Sequence, residues 1–204
     1  PLEKNFLSIY KIYQEKLVNL NSADFSDLIL HTLKIFEKYT DIAELYSKKF
    51  KYILVDEYQD TNFIQSEWLR YLSGYNKNIC CVGDDDQSIY SWRGAEIKNF
   101  LEFDKVYENT KVIRLEKNYR STQNILSVAS KLIENNQNRV GKTLFTNHDD
   151  GELVSLSCFR NVKDEATEVG AEIERLKKNY SLNEVAILVR AIFQTREFEE
   201  RFLK

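Results

Sequence analysis

Two acidic residues, Asp56 and Glu57, stand directly after a short apolar run at positions 52–55, Tyr-Ile-Leu-Val. In open α/β sheets, ligands bind beyond the carboxyl ends of the strands, so a buried strand here would deliver both carboxylates to a ligand site. The first carboxylate can hold Mg²⁺, directly or through water, and the second can take a proton from an attacking water molecule. The pair predicts a nucleotide-hydrolysing site, and the alternative is an acidic strand end solvated in a loop.

A second apolar run is followed by a polar loop at positions 83–95. Because this run would form a neighbouring strand, Gln87 could contact the terminal phosphate of a nucleotide bound at the acidic pair. Tyr90, Trp92 and Arg93 interleave aromatic rings with a cation, which suits single-stranded nucleic acid because every base has a face that stacks. The alternative is an aromatic loop that packs on its own domain. That alternative is weaker for Trp92, since its neighbours Ser, Arg and Gly are not core formers.

A third polar cluster, Asn-Tyr-Arg-Ser at positions 118–121, places an aromatic ring beside a guanidinium group. Tyr119 could cover a purine ring, and Arg120 could reach a phosphate across a domain cleft. Taken alone, the cluster is a weak signal that fits an ordinary turn between a strand and a helix better than a nucleotide site.

Residues 141–143, Gly-Lys-Thr, match the end of a phosphate-binding loop but lack its beginning. The motif needs its first glycine at position 136, where this chain has Asn136, and it needs a preceding strand. The residues before it, 126–134, have a helical pattern instead. We therefore assign no phosphate-binding loop within these 204 residues.

The elements that would position these clusters follow from the spacing of the apolar residues. Apolar residues at helical spacing predict helices, at positions 2–20, 24–36 with Asp24 as N-cap, 41–50, 64–72, 97–103, 125–133, 166–176 and from about 194 onward. Short apolar runs predict buried strands, at positions 52–55, 79–82, 112–115, 153–159 and 185–189. Because strands alternate with helices, the pattern predicts a parallel α/β sheet.

Composition limits the remaining possibilities. Of the 204 residues, 43% are hydrophobic and 30% are charged, which is typical of a globular protein. No apolar run approaches the roughly 20 residues that a membrane span needs, so no membrane partner is expected. The net charge of −3 gives no overall reason to expect nucleic acid, so any DNA site has to be local.

In their order along the chain, these clusters resemble the motifs of the UvrD/Rep/PcrA family of superfamily 1 DNA helicases. Residues 56–62 are similar to the family's Walker B motif, and residues 83–95 to the motif that couples ATP to DNA. Residues 118–121 resemble its adenine and arginine-finger motif. An earlier segment, 24–29, matches a further family segment, and 188–200 is similar to the start of the second motor domain. The resemblance covers nearly the whole chain.

The resemblance implies ATP hydrolysis with Mg²⁺ as the cofactor. In that reaction Asp56 would help to bind Mg²⁺ and the nucleotide, and Glu57 would be the catalytic base. Gln87 would sense the γ-phosphate. Tyr119 would stack on adenine, and Arg120 would neutralise the charge that develops in the transition state.

The resemblance also implies that single-stranded and duplex DNA are partners. Trp92, with Tyr90 and Arg93, would grip single-stranded DNA, and Arg190 would lie near the DNA track. The implied activity is translocation and unwinding in the 3′ to 5′ direction. The implied setting is DNA repair or replication in the cytoplasm, with repair or replication proteins as further partners.

The fold implied by the resemblance is α/β: a RecA-like parallel sheet flanked by helices, with an N-terminal helical segment. Residues 1–23 would end an insertion subdomain, 24–118 would form the C-terminal part of the first RecA-like motor domain, and 119–204 the N-terminal part of the second. The lack of methionine and the unfinished helix at the end favour an internal fragment. This P-loop NTPase helicase core would be incomplete, because it lacks the Walker A loop. The isolated chain is therefore expected not to hydrolyse ATP.

Two other functions remain open at this point. A non-catalytic protein could keep the same fold as a DNA-binding or partner-docking module, although the presence of every catalytic side chain argues against such degeneration. An unrelated Mg²⁺-dependent ATPase could carry the acidic pair, but it would not need the cluster of Tyr90, Trp92 and Arg93. A GxxxxGKT segment before the first residue would separate a helicase from the first alternative.

Overall fold

The computed structural model describes residues 2–136 and 139–203. The chain divides into two compact units, one that extends to Asp149 and one that begins at Asp150. The helices of the larger unit are α1 Leu2–Asn19, α2 Phe25–Lys38, α3 Thr40–Lys49, α4 Phe63–Ser73, α5 Ile97–Leu101, α6 Phe103–Val106 and α7 Gln123–Ile133. Its strands are β1 Ile53–Val55, β2 Ile79–Cys81, β3 Lys117–Asn118 and β4 Phe145–Thr146. The smaller unit contains α8 Val162–Leu176 and α9 Thr195–Phe202.

The start of α2 shows why the helices could be predicted. Asp24 has an extended backbone and accepts a hydrogen bond from the Asp27 N–H (2.8 Å). The Asp27 carboxylate in turn accepts from the Asp24 N–H (3.2 Å), so the two residues form a reciprocal capping box. This confirms Asp24 as the N-cap, and helices occur at each of the other predicted positions.

The core of the larger unit lies where α2, α3 and α4 pack together. Leu33 and Phe36 of α2 are buried, as is Leu69 of α4. The Phe36 ring lies 5.8 Å from the ring of Tyr46 on α3 and 5.9 Å from the ring of Tyr71 on α4, measured between centroids. These contacts join the three helices through one aromatic residue.

The strands form two small parallel sheets, one from β1 and β2 and one from β3 and β4. In the first, Ile53 pairs with Ile79; in the second, Lys117 pairs with Phe145. The crossover between β1 and β2 contains α4, as expected for parallel neighbours that need a helical connection. The architecture is therefore mixed α/β with parallel pairing, as predicted from the alternation of apolar runs and helices.

The prediction of three strands is wrong, because the chain forms no strand at positions 112–115, 153–159 or 185–189. A strand is defined by hydrogen bonds to a neighbouring strand, and an apolar run alone does not supply that neighbour. Most apolar residues of these segments are exposed, with Leu115 at 78%, Leu156 at 93% and Leu188 at 94%, whereas Val185 and Val189 are half-buried. After the first of these segments, 112–115, hydrogen bonding to another strand begins only at β3.

The two strands of the first sheet are also less buried than predicted. Leu54 in β1 is 82% exposed, and Cys80 in β2 is exposed as well, whereas their neighbours on the opposite face are partly covered. Successive side chains of a strand point to opposite faces, so one face of this sheet is open among the described residues. No helix in the described ranges is long and apolar enough to cross a membrane.

The smaller unit is built on the packing of α8 against α9. Ala166 on α8 and Phe198 on α9 are its buried apolar residues among those described. Asn161 caps α8, because its side-chain oxygen accepts a hydrogen bond from the Asp164 N–H (2.9 Å). This cap fixes where the helix begins, directly after the irregular segment 153–159.

Candidate active site

The carboxyl ends of β1 and β2 lie side by side. The pairing continues beyond the strands, where the Val82 N–H donates to the Val55 carbonyl oxygen (2.8 Å). The Tyr58 N–H then donates to the Val82 carbonyl oxygen (3.0 Å). These bonds bring the acidic turn, residues 56–57, next to the loop that begins at Gly83.

The acidic turn holds Glu57 in a left-handed backbone conformation, with φ 51° and ψ 41°. This conformation costs a residue with a Cβ roughly 1–2 kcal/mol, so the surrounding bonds have to hold it. The Asp56 carboxylate accepts from the Glu57 N–H (3.0 Å), and the Gln59 amide donates to the Glu57 carboxylate (2.7 Å). Both acidic residues are exposed. The turn therefore presents two oriented carboxylates at the end of β1.

Gln59 connects the acidic turn to the loop after β2. Its side chain is buried, with 1% exposure, and both ends of its amide are paired. The nitrogen donates to Glu57, and the oxygen accepts from the Asp84 N–H (3.0 Å). Because a buried amide loses free energy when either bond breaks, Gln59 fixes the spacing between the two strand ends.

Asp84 continues this chain of hydrogen bonds to Gln87. The Gln87 amide nitrogen donates to Asp84 Oδ2 (2.8 Å). Burial raises the pKa of the Asp84 carboxyl, but hydrogen bonds from Lys142 and Gln87 outweigh burial and leave that pKa below its ordinary value. The Asp84 carboxylate is therefore charged at neutral pH. A continuous path of hydrogen bonds now runs from Glu57 through Gln59 and Asp84 to Gln87.

The aromatic turn, residues 90–93, presents most of its side chains to solvent. Trp92 is 68% exposed, and its ring centroid lies 6.3 Å from that of Tyr90. The Arg93 guanidinium lies over both rings, 4.9 Å from the Tyr90 centroid and 4.6 Å from that of Trp92. Gly94 ends the turn with φ 87°, a conformation that favours glycine. The three side chains form one surface with two ring faces and a cation, in which Trp92 and Arg93 are exposed and Tyr90 is half-buried.

The aromatic turn is tied to the acidic turn through the backbone. The Glu96 N–H donates to the Thr61 carbonyl oxygen (2.9 Å), and the Asn99 side chain donates to the same oxygen (3.2 Å). Ala95 also forms an antiparallel bridge with Asn62. The segment that follows the acidic turn thus anchors the segment that follows the aromatic turn.

Tyr119 and Arg120 lie in a turn just after β3. The Asn118 side-chain oxygen accepts from the N–H groups of Arg120 (2.9 Å) and Ser121 (2.8 Å), which fixes the turn. The Tyr119 ring is 75% exposed, and the Lys117 ammonium lies 5.0 Å from its centroid. Both candidate side chains are therefore presented to solvent on a backbone that is held in place.

The structure brings some of the predicted site residues together and leaves others apart. Glu57 and Gln87 share the hydrogen-bond path, and Asp56 holds the Glu57 backbone. Within the described ranges, no hydrogen bond or ion pair joins Tyr119 or Arg120 to that path. Arg190 belongs to the smaller unit, where it is exposed after the irregular segment 185–189 and lines an open groove between α8 and α9.

Comparison with known families assigns the chain. A family model described as the UvrD/REP helicase N-terminal domain matches residues 1–108. The chain belongs to the UvrD/REP helicase family. A second model, described as the UvrD-like helicase C-terminal domain, matches residues 113–204. The sequence resemblance to this family is therefore confirmed over both halves of the chain.

Several curated helicases of this family are similar to the chain over at least 96% of its length. A probable DNA helicase II homolog of Rickettsia conorii is 49% identical and is matched by 100% of the chain. The ATP-dependent DNA helicase PcrA of Bacillus subtilis is 46% identical over 96% of the chain, and DNA helicase II of Escherichia coli is 44% identical over 100%. The chain spans 31%, 27% and 28% of the length of these relatives, respectively.

Sequence reasoning missed the residues that link the predicted ones. In the sequence, Gln59 is noticed only as one member of the motif at 56–62. A polar side chain between Tyr58 and Asp60, at the end of a predicted buried strand, is a signal that could have identified it. Asp84 was not singled out either. Lys142 was considered only as part of a phosphate-binding loop, and nothing in the sequence indicates that it pairs with a residue 58 positions away.

Proposed function

We propose that this chain is part of the motor of an ATP-dependent DNA helicase that translocates on single-stranded DNA and unwinds duplex DNA. The observation that carries the proposal is the loop after β2. Through Gln59 and Asp84, its residue Gln87 is joined to Glu57, and the same loop presents Trp92 to solvent. This one loop would therefore report the state of the nucleotide to the DNA-binding side chains.

The acidic turn fits the chemistry of a magnesium nucleotide. Asp56 is exposed at the end of β1, and its carboxylate is the hard oxygen ligand that Mg²⁺ prefers, directly or through water. When bound there, Mg²⁺ would offset the negative charge of the phosphate oxygens. Glu57 would accept the proton of the attacking water, with Gln59 keeping its carboxylate in place.

Gln87 and Arg120 would act on the transferred phosphoryl group. Gln87 turns its amide nitrogen toward Asp84, because a carboxylate can only accept, so the amide plane is fixed before nucleotide binds. Arg120 would stabilise the charge that develops on the phosphate oxygens, as arginine fingers do. Tyr119 is exposed and would cover the adenine ring.

The DNA surface would be the aromatic turn. Tyr90 and Trp92 offer ring faces to bases, and Arg93 supplies a cation beside them. Arg190, in the smaller unit, would extend the DNA track. The proposed parent acts in the 3′ to 5′ direction in DNA repair or replication, in the cytoplasm, with repair or replication proteins as further partners.

At the level of domains, we propose the RecA-like arrangement of two motor domains. Residues 1–23 would end an inserted helical subdomain, 24–118 would belong to the first motor domain and 119–204 to the second. These 204 residues contain no phosphate-binding loop, so the chain alone is expected not to hydrolyse ATP.

The test is the rate of ATP hydrolysis by the full-length protein, with and without single-stranded DNA. The proposal expects hydrolysis that requires Mg²⁺ and is stimulated by DNA. A protein that binds DNA but does not hydrolyse ATP would instead favour the non-catalytic DNA-binding or docking module. Hydrolysis that DNA does not affect would contradict the coupling between the acidic turn and a DNA-binding surface.

A further inference from the structure

A basic segment, residues 139–143, lies across the loop after β2. The Arg139 guanidinium donates two hydrogen bonds to the Asp86 carboxylate, at 2.9 Å and 2.7 Å. The Lys142 ammonium contacts Asp84 Oδ1 and lies 3.7 Å from Asp86. The Val140 N–H donates to the Asp85 carboxylate (2.6 Å). Each of the three consecutive carboxylates therefore has a partner in the basic segment.

These ion pairs are less exposed to solvent than most of the other ion pairs in the described part of the chain. The side chains of Arg139 and Lys142 are 19% and 18% exposed, whereas Lys131, in a pair on α7, is 82% exposed. Ion pairs that are shielded from water hold their geometry better than exposed pairs, which are worth little. The three carboxylates are close enough to hold a metal ion, but these two protein cations already offset their charge.

The two oxygens of the Asp84 carboxylate accept hydrogen bonds from different partners. Oδ1 accepts from the Lys142 ammonium and from the Asp86 N–H (3.0 Å). Oδ2 accepts from the Gln87 amide nitrogen (2.8 Å). Because both oxygens belong to one planar group, fixing Oδ1 also fixes the direction in which Oδ2 holds Gln87. Without Lys142, Oδ1 would keep only the hydrogen bond from the Asp86 N–H, so the carboxylate and the Gln87 amide bound to it would be held less firmly.

We propose that Lys142 is a positioning residue for ATP hydrolysis, which orients the Gln87 amide by holding the Asp84 carboxylate. This inference rests on the proposed function, in which Gln87 contacts the γ-phosphate. Lys142 itself acts through Asp84 and does not touch the nucleotide. The Gly-Lys-Thr sequence at 141–143 thus has a role that differs from that of a phosphate-binding loop.

The basic segment also reaches the turn that carries Tyr119 and Arg120. The Thr143 N–H donates to the Glu116 carboxylate (3.3 Å), and β4, which follows, pairs with β3 immediately before the turn. The His148 ring contacts the Tyr119 carbonyl oxygen (3.1 Å). One continuous stretch of chain therefore holds the Gln87 loop at one end and the adenine and arginine-finger turn at the other.

The experiment compares Lys142→Met with wild type in the full-length protein, and measures kcat and KM for ATP with saturating single-stranded DNA. Loss of orientation should lower kcat by up to about a hundredfold, while KM for ATP stays close to the wild-type value. Lys142→Arg keeps a cation beside Asp84 and should recover most of the rate. Lys131→Met is the matched control, since it removes an exposed lysine from another ion pair.

A double-mutant cycle tests whether Lys142 acts through Asp84. If it does, Lys142→Met should cause little further loss of kcat in an Asp84→Asn background, so the two effects should not add. Thermal unfolding of every variant, recorded alongside, separates a change in kcat from a loss of folded protein. A kcat that falls only in proportion to the folded fraction contradicts a positioning role.

Three further results would overturn the inference. The first is a wild-type kcat in Lys142→Met, and the second is additive losses with Asp84→Asn. The third is a higher KM at unchanged kcat, which would mean that Lys142 contacts the nucleotide. Failure of the proposed function is distinguishable, because wild type itself would then show no DNA-stimulated hydrolysis, and the inference would fall with it.

Discussion

At the scale of single residues, the site combines side chains that hydrogen bonds hold in place with side chains that are exposed to solvent. Glu57 and Gln87 are each fixed by a hydrogen bond from or to a neighbouring polar group. Trp92 and Tyr119 are exposed, at 68% and 75%. Fixed groups suit chemistry that needs orientation, and open rings suit the stacking of a base that arrives from solvent.

Trp92 should contribute more to DNA affinity than any other residue of the chain. Stacking of one base on an aromatic ring is worth about 1–3 kcal/mol, so Trp92→Ala should weaken binding of single-stranded DNA by that amount. Fluorescence anisotropy with a labelled oligonucleotide measures the effect, and DNA stimulation of hydrolysis should fall in parallel. Tyr75→Ala removes an aromatic ring that is 61% exposed outside the aromatic turn and serves as the control. Unchanged DNA affinity in Trp92→Ala would show that the ring has another role.

Arg120 should affect turnover more than nucleotide affinity. Its guanidinium would interact best with charge that develops only in the transition state, and such residues are typically worth roughly a thousandfold or more in rate. Arg120→Ala in the full-length protein should therefore lower kcat steeply, as measured by steady-state hydrolysis. Arg70→Ala, which removes an exposed arginine on α4, is the matched control. A variant that lost only ATP affinity and kept its kcat would be inconsistent with this role.

At the scale of elements, the close approach of the two strand ends depends on Gly83. A Cβ at this position would lie 2.6 Å from Gln59 Oε1 and 2.8 Å from the Phe100 ring, both closer than side-chain atoms normally come. The Gln59 oxygen cannot move away without losing its bond to the Asp84 N–H. Gly83 is therefore the residue that lets the loop after β2 lie against the buried glutamine.

Gly83→Ala should destabilise the protein, because overpacking of a filled site costs about 1–3 kcal/mol. The midpoint of chemical unfolding of the full-length protein measures this change. Gly74→Ala is the matched control, since Gly74 has helical φ and ψ and its added Cβ would meet no atom closer than 3.4 Å. That variant should be neutral or more stable. Equal stability of the two variants would refute the tight packing at Gly83.

The elements also show what could be read from the sequence. Helices were predictable because their signals are local: apolar spacing, and caps such as Asp24 with Asp27. The segments at 112–115, 153–159 and 185–189 carry the apolar pattern of strands, but strand formation depends on a neighbour that lies elsewhere in the chain. Likewise, the types of Asp56, Glu57 and Gln87 indicated chemistry, whereas the link between Lys142 and Asp84 is a contact between distant positions that a single sequence does not reveal.

At the scale of the whole molecule, charge and surface agree with a local DNA site. The net charge is −3, so no general attraction for the phosphate backbone is expected. The proposed DNA contacts instead depend on the aromatic turn and on Arg190, where stacking supplements charge. The proposed motor then couples this surface to the acidic turn through the bridge between Asn62 and Ala95 and through Gln59.

The central claim is that the acidic turn is the catalytic site of a DNA-stimulated ATPase. Glu57→Gln keeps the shape of the side chain but removes the base, and it tests the claim in the full-length protein. Glu37→Gln makes the same change of charge at an exposed position on α2 and is the control. ATP binding is measured by titration with Mg-ATP, and turnover by hydrolysis with saturating single-stranded DNA.

Glu57→Gln is expected to bind Mg-ATP with an affinity comparable to that of wild type. Its turnover should fall by at least about a hundredfold, which is the typical contribution of a general base. Glu37→Gln should hydrolyse ATP at the wild-type rate. Hydrolysis by Glu57→Gln at the wild-type rate would contradict the claim, because the base would then lie elsewhere in the protein.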